Sequence, residues 1–299
     1  MEEGNVFLEE LVFSAKLITQ RAKTVISDNS SVMIFFLLIN SASSEILWFE
    51  ETRYIRGSGI APDETPQHKV SLRAYGIDRH EVSIADFESF RKQGWSNEKY
   101  WHPEATSWRK KHPDGAGATN RRAGRKDDHP VVAVTWFEAD AYCRFKGGSL
   151  PTEAQWEQAA CGQDAAGNKT RFPWGESEDI EAVWYSGGKY GHLQQVLTQS
   201  VKTAPTEQQG QGGITHTVGN VWEWTADWYH NSTYLQDAQS ETSLNPTGPS
   251  TGTWKTMRGG SFMNLPSYCS CTHREPAKPN RVAYTVGFRC AYAKSGAQQ

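Results

Sequence analysis

The chain has 299 residues and a formal net charge of −3, so it offers no basic footprint for nucleic acid. Twelve Trp, eleven Tyr and twelve Phe stand beside twenty-six Gly and thirteen Pro, which favours a loop-rich fold pinned by large aromatic side chains over a helical bundle. The five cysteines, Cys143, Cys161, Cys269, Cys271 and Cys290, allow two disulfides and one thiol in an oxidising compartment, or five thiols in a reducing one.

The first 46 residues read as a leader. FLEELVFSAKLITQRAKTV (7–25) has the apolar spacing of an amphipathic helix. VMIFFLLI (32–39), followed by NSASSE, has the flavour of a signal-peptide core, but it is too short to span a bilayer. The acidic MEEGNVFLEEL ahead of it is the wrong charge for such a peptide. A buried strand or helix is the equal alternative.

The domain is placed at 47–296. HKVSLRAYGIDRHEVS (68–83) alternates as extended chain, and Ser83 starts a helix that Gly94 stops. Residues 98–128 are charged and Gly-rich, and read as an irregular surface excursion. HPVVAVTWFEADAYCRFKGG (129–148) reads as a strand then a helix, with Thr135 and Glu138 at capping-box spacing. LPTEAQWEQAA (150–160) repeats the device with Thr152 and Gln155. FPWG (172–175) is a turn, and residues 185–216 are polar with little regular pattern. GNVWEWTADWY (219–229), WKTMRGGSF (254–262) and VGFRCAYA (286–293) read as aromatic-rich core strands.

The ordered series IDRHEVSIADF, HPVVAVTWFEADAYCRFKGGSLPTEAQWEQAA, FPWG, GNVWEWTADWY, RGGSF and GFRCA resembles the formylglycine-generating enzyme (sulfatase-modifying factor) family. The likeness covers roughly 47–294. It implies an α+β fold: one compact domain with a C-type-lectin-like core and little regular secondary structure. The family mixes copper oxidases that make formylglycine, iron enzymes that join sulfur to histidine-derived compounds, a siderophore-maturation protein and lectin-like binding proteins. Membership therefore leaves the function open.

The copper oxidases hold Cu(I) between two thiolates, as a soft ion requires. In GGSFMNLPSYC the resemblance maps the second thiol onto Cys269 and the first onto Asn264, an amide, so copper is not expected. Cys271 is i+2 from Cys269 and would face the other way on a strand. The family pattern implies the disulfides Cys143–Cys290 and Cys161–Cys271, with Cys161 one residue out of place. Calcium is the other cofactor implied, through Gly219, Val221 and Glu223. His216 stands where a hard oxygen ligand is usual, and Glu223 reads equally as a buried carboxylate holding loop amides. The nine histidines are scattered, with His216, His230 and His273 nearest the pocket motifs. No Ser/His/Asp triad or phosphate loop is present.

Three functions follow from the resemblance. The first is an oxidase-type enzyme modifying a peptide or peptide-derived metabolite. Its catalytic set would be Cys269, Ser261 and Tyr268, with Asn264, Trp222 and Arg274 binding substrate. The second is a non-catalytic, lectin-like binding module using the same cleft. The third is a true copper-dependent formylglycine generator. The expected partner is a peptide or peptide-derived substrate, with no nucleic acid and no stable membrane span. The expected location is periplasmic or secreted, with the cytoplasm as alternative.

Overall fold

The computed structural model describes residues 45–117, 126–161, 169–176, 198–202 and 210–294. These lie in one compact unit, Ser44–Gln299. The segments 7–25 and 32–39, and most of 185–216, fall outside the described residues.

Three small sheets carry the strands. β1 (Ile46–Phe49) and β10 (Ala291–Ala293) flank β4 (Tyr75–Asp78), so the start and end of the domain meet on one strand. β2 (Thr52–Arg56) pairs antiparallel with β3 (His68–Leu72), which also takes β6 (Ser243–Leu244) in parallel. The third sheet has the order β8 (Glu275–Ala277), β7 (Lys255–Arg258), β5 (Trp222–Trp228), β9 (Val286–Gly287).

The helices begin where capping chemistry places them. In α1 (Ile84–Gln93) the Asp86 amide donates to Ser83 Oγ, and the Gly94 amide closes onto the Phe90 carbonyl at 2.7 Å. α3 (Trp136–Phe145) opens with the full capping box of Thr135 and Glu138. α4 (Glu153–Cys161) opens with the reciprocal pair expected: the Thr152 amide donates to Gln155 Oε1 at 2.9 Å, and the Gln155 amide to Thr152 Oγ1 at 3.1 Å. Each cap satisfies donors that a helix start otherwise leaves unpaired, worth about 1 kcal/mol.

The excursion differs from the sequence expectation. Residues 98–111 fold into two single-turn 3₁₀ helices and α2 (Thr106–Lys111), not an irregular loop. Trp101, Ala105 and Trp108 are buried in the main core. Their spacing, i, i+4 and i+7, is one helical face, hidden among charged neighbours. Residues 129–134 also depart from expectation, forming no strand. Ala133 has a left-handed φ of 59°, and the segment is tied down singly, by Val131 N–H to the Val82 carbonyl and Ala133 N–H to the Ala283 carbonyl. The closing strand is split: Phe288, Arg289 and Cys290 separate β9 from β10 and are fully buried. A short helix, α5 (Thr233–Asp237), follows β5.

The main core is aromatic, built from α1, α3, the excursion and the third sheet. Phe87, Phe90, Trp101, Trp136, Tyr142, Trp224 and Phe288 all belong to it. A smaller cluster of Trp156, Phe172, Val218, Cys269 and Cys271 lies under the candidate site.

Candidate functional site

The site starts at a double glycine. β7 ends at Gly259 and Gly260, whose φ values of 93° and 73° lie where an L side chain is strained. A Cβ on Gly259 would come within 2.8 Å of the Thr217 carbonyl, and one on Gly260 would run into Cys269. Two glycines thus let the chain turn sharply over the Cys269 sulfur. The Asn264 amide then donates to the Ser261 carbonyl at 2.9 Å. Asn264 Oδ1 accepts from both the Ser261 amide (3.1 Å) and its hydroxyl (2.5 Å). A 3₁₀ turn, Pro266–Tyr268, returns the chain, and the Cys269 amide closes it on the Pro266 carbonyl.

Cys269 is the free cysteine and is fully buried, its Sγ 4.0 Å from the Ser261 carbonyl. Burial pushes its thiol up to about 12, although the Ser261 and Gly219 backbone bonds pull the other way. A thiol in that state is a poor nucleophile at neutral pH. Cys161 and Cys271 are disulfide-bonded, as are Cys143 and Cys290. Copper does not fit this donor set: a single thiol, a hydroxyl and an amide oxygen already engaged by Ser261 give Cu(I) one soft ligand where it needs two.

What the turn shows to solvent is different. Met263 is 64% exposed, Leu265 61% and Tyr268 47%. His273 lies behind Tyr268, with ring centroids 5.3 Å apart, and against Trp222 at 5.7 Å. Glu64 and Glu275 flank the imidazole at 4.0 and 3.8 Å. Trp222 is buried in the core. Arg274 is also buried. Its Nε donates to Glu153 Oε1 at 2.7 Å and its Nη2 to Oε2 at 3.0 Å. Both side chains are buried beneath the turn, Trp222 against His273 and Arg274 on Glu153. The His230 ring is bonded to Ser232 Oγ, and its backbone carbonyl accepts from Arg274 Nη1 at 3.2 Å.

Glu223 is held by a cation of the chain itself. Arg289 Nη2 donates to Oε1 and Nε to Oε2, both at 2.6 Å, and Trp156 Nε1 adds a bond to Oε2 at 2.8 Å. The carboxylate therefore holds a guanidinium, not loop amides. Nearby, burial and then the Glu223 charge push Glu81 well above the usual carboxylate range; it accepts from Asn220 Nδ2 at 2.5 Å. His216 Nε2 lies 3.1 Å from the Ser200 carbonyl, and burial pulls its pKa down to about 4. A calcium ion at Gly219, Val221 and Glu223 would meet a carboxylate already held by Arg289 and an imidazole in place of an oxygen ligand, so the residues present do not fit it.

Sequence reasoning missed the charge network under the site. Arg258 Nη1 donates to Glu153 and Nη2 to Glu157, each at 2.6 Å, and Nη2 also to the Cys271 carbonyl at 2.6 Å. Arg56 Nη2 lies 2.9 Å from Glu153 Oε2, Tyr234 Oη donates to Glu157 at 2.9 Å, and Lys169 pairs with Glu157. Burial alone would raise Glu153, but Arg274, Arg56 and Arg258 hold it down to about 2. The signal was legible in TEAQWE: Glu153 and Glu157 stand at i, i+4 on a helix otherwise buried all round. The network fixes the backbone at Cys271 and so the far end of the turn.

A profile of the sulfatase-modifying factor enzyme 1-like domain matches residues 44–294. The formylglycine-generating enzyme of Streptomyces coelicolor is 33% identical over 274 residues, covering 79% of this chain and 83% of that enzyme. Among solved structures, PvdO from Pseudomonas aeruginosa superposes with a TM-score of 0.63 at 19% identity, over 83% of this chain and 93% of that one. Treponema denticola variable protein 1 gives 0.60 at 20% identity, over 83% and 94%. These likenesses show the fold to be the α+β, C-type-lectin-like arrangement.

Proposed function

The chain belongs to the sulfatase-modifying factor enzyme 1-like domain family, and from that membership we propose that it recognises a peptide or peptide-derived molecule along the turn 261–273, without two-thiolate copper chemistry. One observation carries the reading. Where the copper oxidases have the first of their two thiols, Asn264 is tied to Ser261, while the same turn presents Met263, Leu265 and Tyr268 to solvent. Exposed apolar groups clustered on one turn mark a recognition surface. The double-glycine turn, the Cys161–Cys271 bridge and the Arg258 bond to the Cys271 carbonyl hold that surface rigid, which limits the entropy lost on binding.

A second reading, an oxidase-type enzyme modifying the same kind of molecule, is favoured by the identity to the Streptomyces enzyme over most of the chain and by the retained Ser261–Cys269 neighbourhood. Formylglycine generation requires two thiolates and is not supported. Two disulfides favour an oxidising location, periplasmic or secreted. Among the described residues no helix is long and apolar enough to cross a membrane.

The test is selection of a random peptide display library on the purified protein, followed by fluorescence-anisotropy titration of the enriched sequence. A Met263→Ser/Tyr268→Ala double variant is expected to bind at least about tenfold more weakly, since each buried apolar anchor is worth about 1–2 kcal/mol. No enrichment, or unchanged affinity in the folded variant, would defeat the reading.

A further inference from the structure

The outer face of the excursion carries a feature that the recognition turn does not use. Trp95, Ser96, Glu98, Arg109, Lys110 and Pro113 are among the residues lining a cleft of about 400 Å³. That volume lies in the range of small-molecule sites. Most of its polar groups are already committed. Trp95 Nε1 donates to the Pro113 carbonyl at 2.9 Å, and Thr106 Oγ1 to that of Pro103 at 2.8 Å. Arg109 is held from three sides: its guanidinium lies 4.3 Å over the Trp101 ring, Nη2 donates to the Trp95 carbonyl at 3.3 Å, and Nη1 to Glu98 Oε2 at 2.5 Å. The Lys110 ammonium and the Ser96 hydroxyl have no partner among the described residues.

The Arg109–Glu98 pair is lopsided. The Arg109 side chain is only 17% exposed, whereas that of Glu98 is 82% exposed. A guanidinium stacked on indole and anchored to a carbonyl is a preformed carboxylate receptor. Glu98 answers it from a single-turn 3₁₀ helix, Glu98–Tyr100, and among the described residues this bond alone holds its acid end. An ion pair so open to water is worth at most about 1 kcal/mol. Glu98 is thus a weakly held resident carboxylate on a rigid cationic floor, with the Lys110 charge beside it.

The lining chooses the ligand. A cation would face Arg109 and Lys110 with one acid to oppose them. A fully hydrated anion such as phosphate would gain nothing from Trp95 and Pro113. We propose that this cleft binds a small monocarboxylate with an apolar body, whose carboxylate takes the place of Glu98 on Arg109 while Lys110 supplies the balancing charge. The site is independent of the peptide reading.

The experiment is calorimetric titration of the full chain with indole-3-propionate, with its amide, tryptamine and inorganic phosphate as comparisons. The acid is expected to bind, and the amide and tryptamine to bind at least about tenfold more weakly. Lys110→Glu should weaken the acid about tenfold. Glu98→Gln removes the internal competitor and should tighten binding, by up to about fivefold, the equivalent of the ~1 kcal/mol of an exposed pair. A variant that had merely lost a structural contact would not bind more tightly. Absent binding of the acid, equal binding of acid and amide, phosphate binding as tightly as the acid, or indifference to both folded variants would each overturn the proposal.

Discussion

Cys269 is the residue on which the functional reading turns. Sequence spacing separated it from Cys271, and the structure adds that it is sealed beneath Gly260 with its thiol pushed up to about 12 by burial. Native protein should therefore resist iodoacetamide at pH 8 for hours and label at this one site only after denaturation. Mass spectrometry of the alkylated peptide checks this, and rapid native labelling would mean that the turn opens. Much of this neighbourhood was legible. Asn264 at the first thiol position and the Gly259–Gly260 pair can both be read from RGGSFMNLPSYC. The commitments of Trp222 and Arg274 cannot. Whether an aromatic or a guanidinium faces a ligand or the core depends on partners far away in sequence, here Glu153, 121 residues from Arg274.

Among elements, those announced by local chemistry formed where expected. Ser83, Thr135 and Thr152 each cap a helix, because capping is decided within four residues. The strands were less legible, since pairing is not local: 129–134 is a β-branched apolar run that reads as a strand but is diverted at Ala133, and Gly259 ends β7 early. The excursion was misread because composition outweighed period. Its three apolar positions sit among Lys, Arg, His and Glu, and those positions decide the fold. Trp108→Ala tests this. Removing a buried indole should cost about 3–5 kcal/mol, read as a lower denaturant midpoint at constant slope. A surface loop would lose no more than about 0.5 kcal/mol.

Across the whole molecule, stability rests on buried charge as well as on the aromatic core. Glu153 is held at about 2 against an ordinary 4.5, and Glu157, paired with Lys169 and Arg258, is also held well down. A depressed carboxylate contributes stability that is fully present above the unfolded value and is lost as pH falls through the folded one. The melting temperature should therefore drop steeply from pH 4.5 towards 2. A flat profile there would contradict the network. The same network, with the Cys161–Cys271 bridge, holds the turn 261–273, so fold and candidate site are built together. The proposed function is recognition of a peptide or peptide-derived molecule at this turn without thiolate–copper chemistry. It is tested most directly by oxygen-electrode measurement on copper-supplemented protein with a cysteine-containing peptide, for the native chain and Cys269→Ser. Neither protein should show peptide-dependent oxygen uptake above background. Sustained uptake by the native chain that Cys269→Ser abolishes would contradict it.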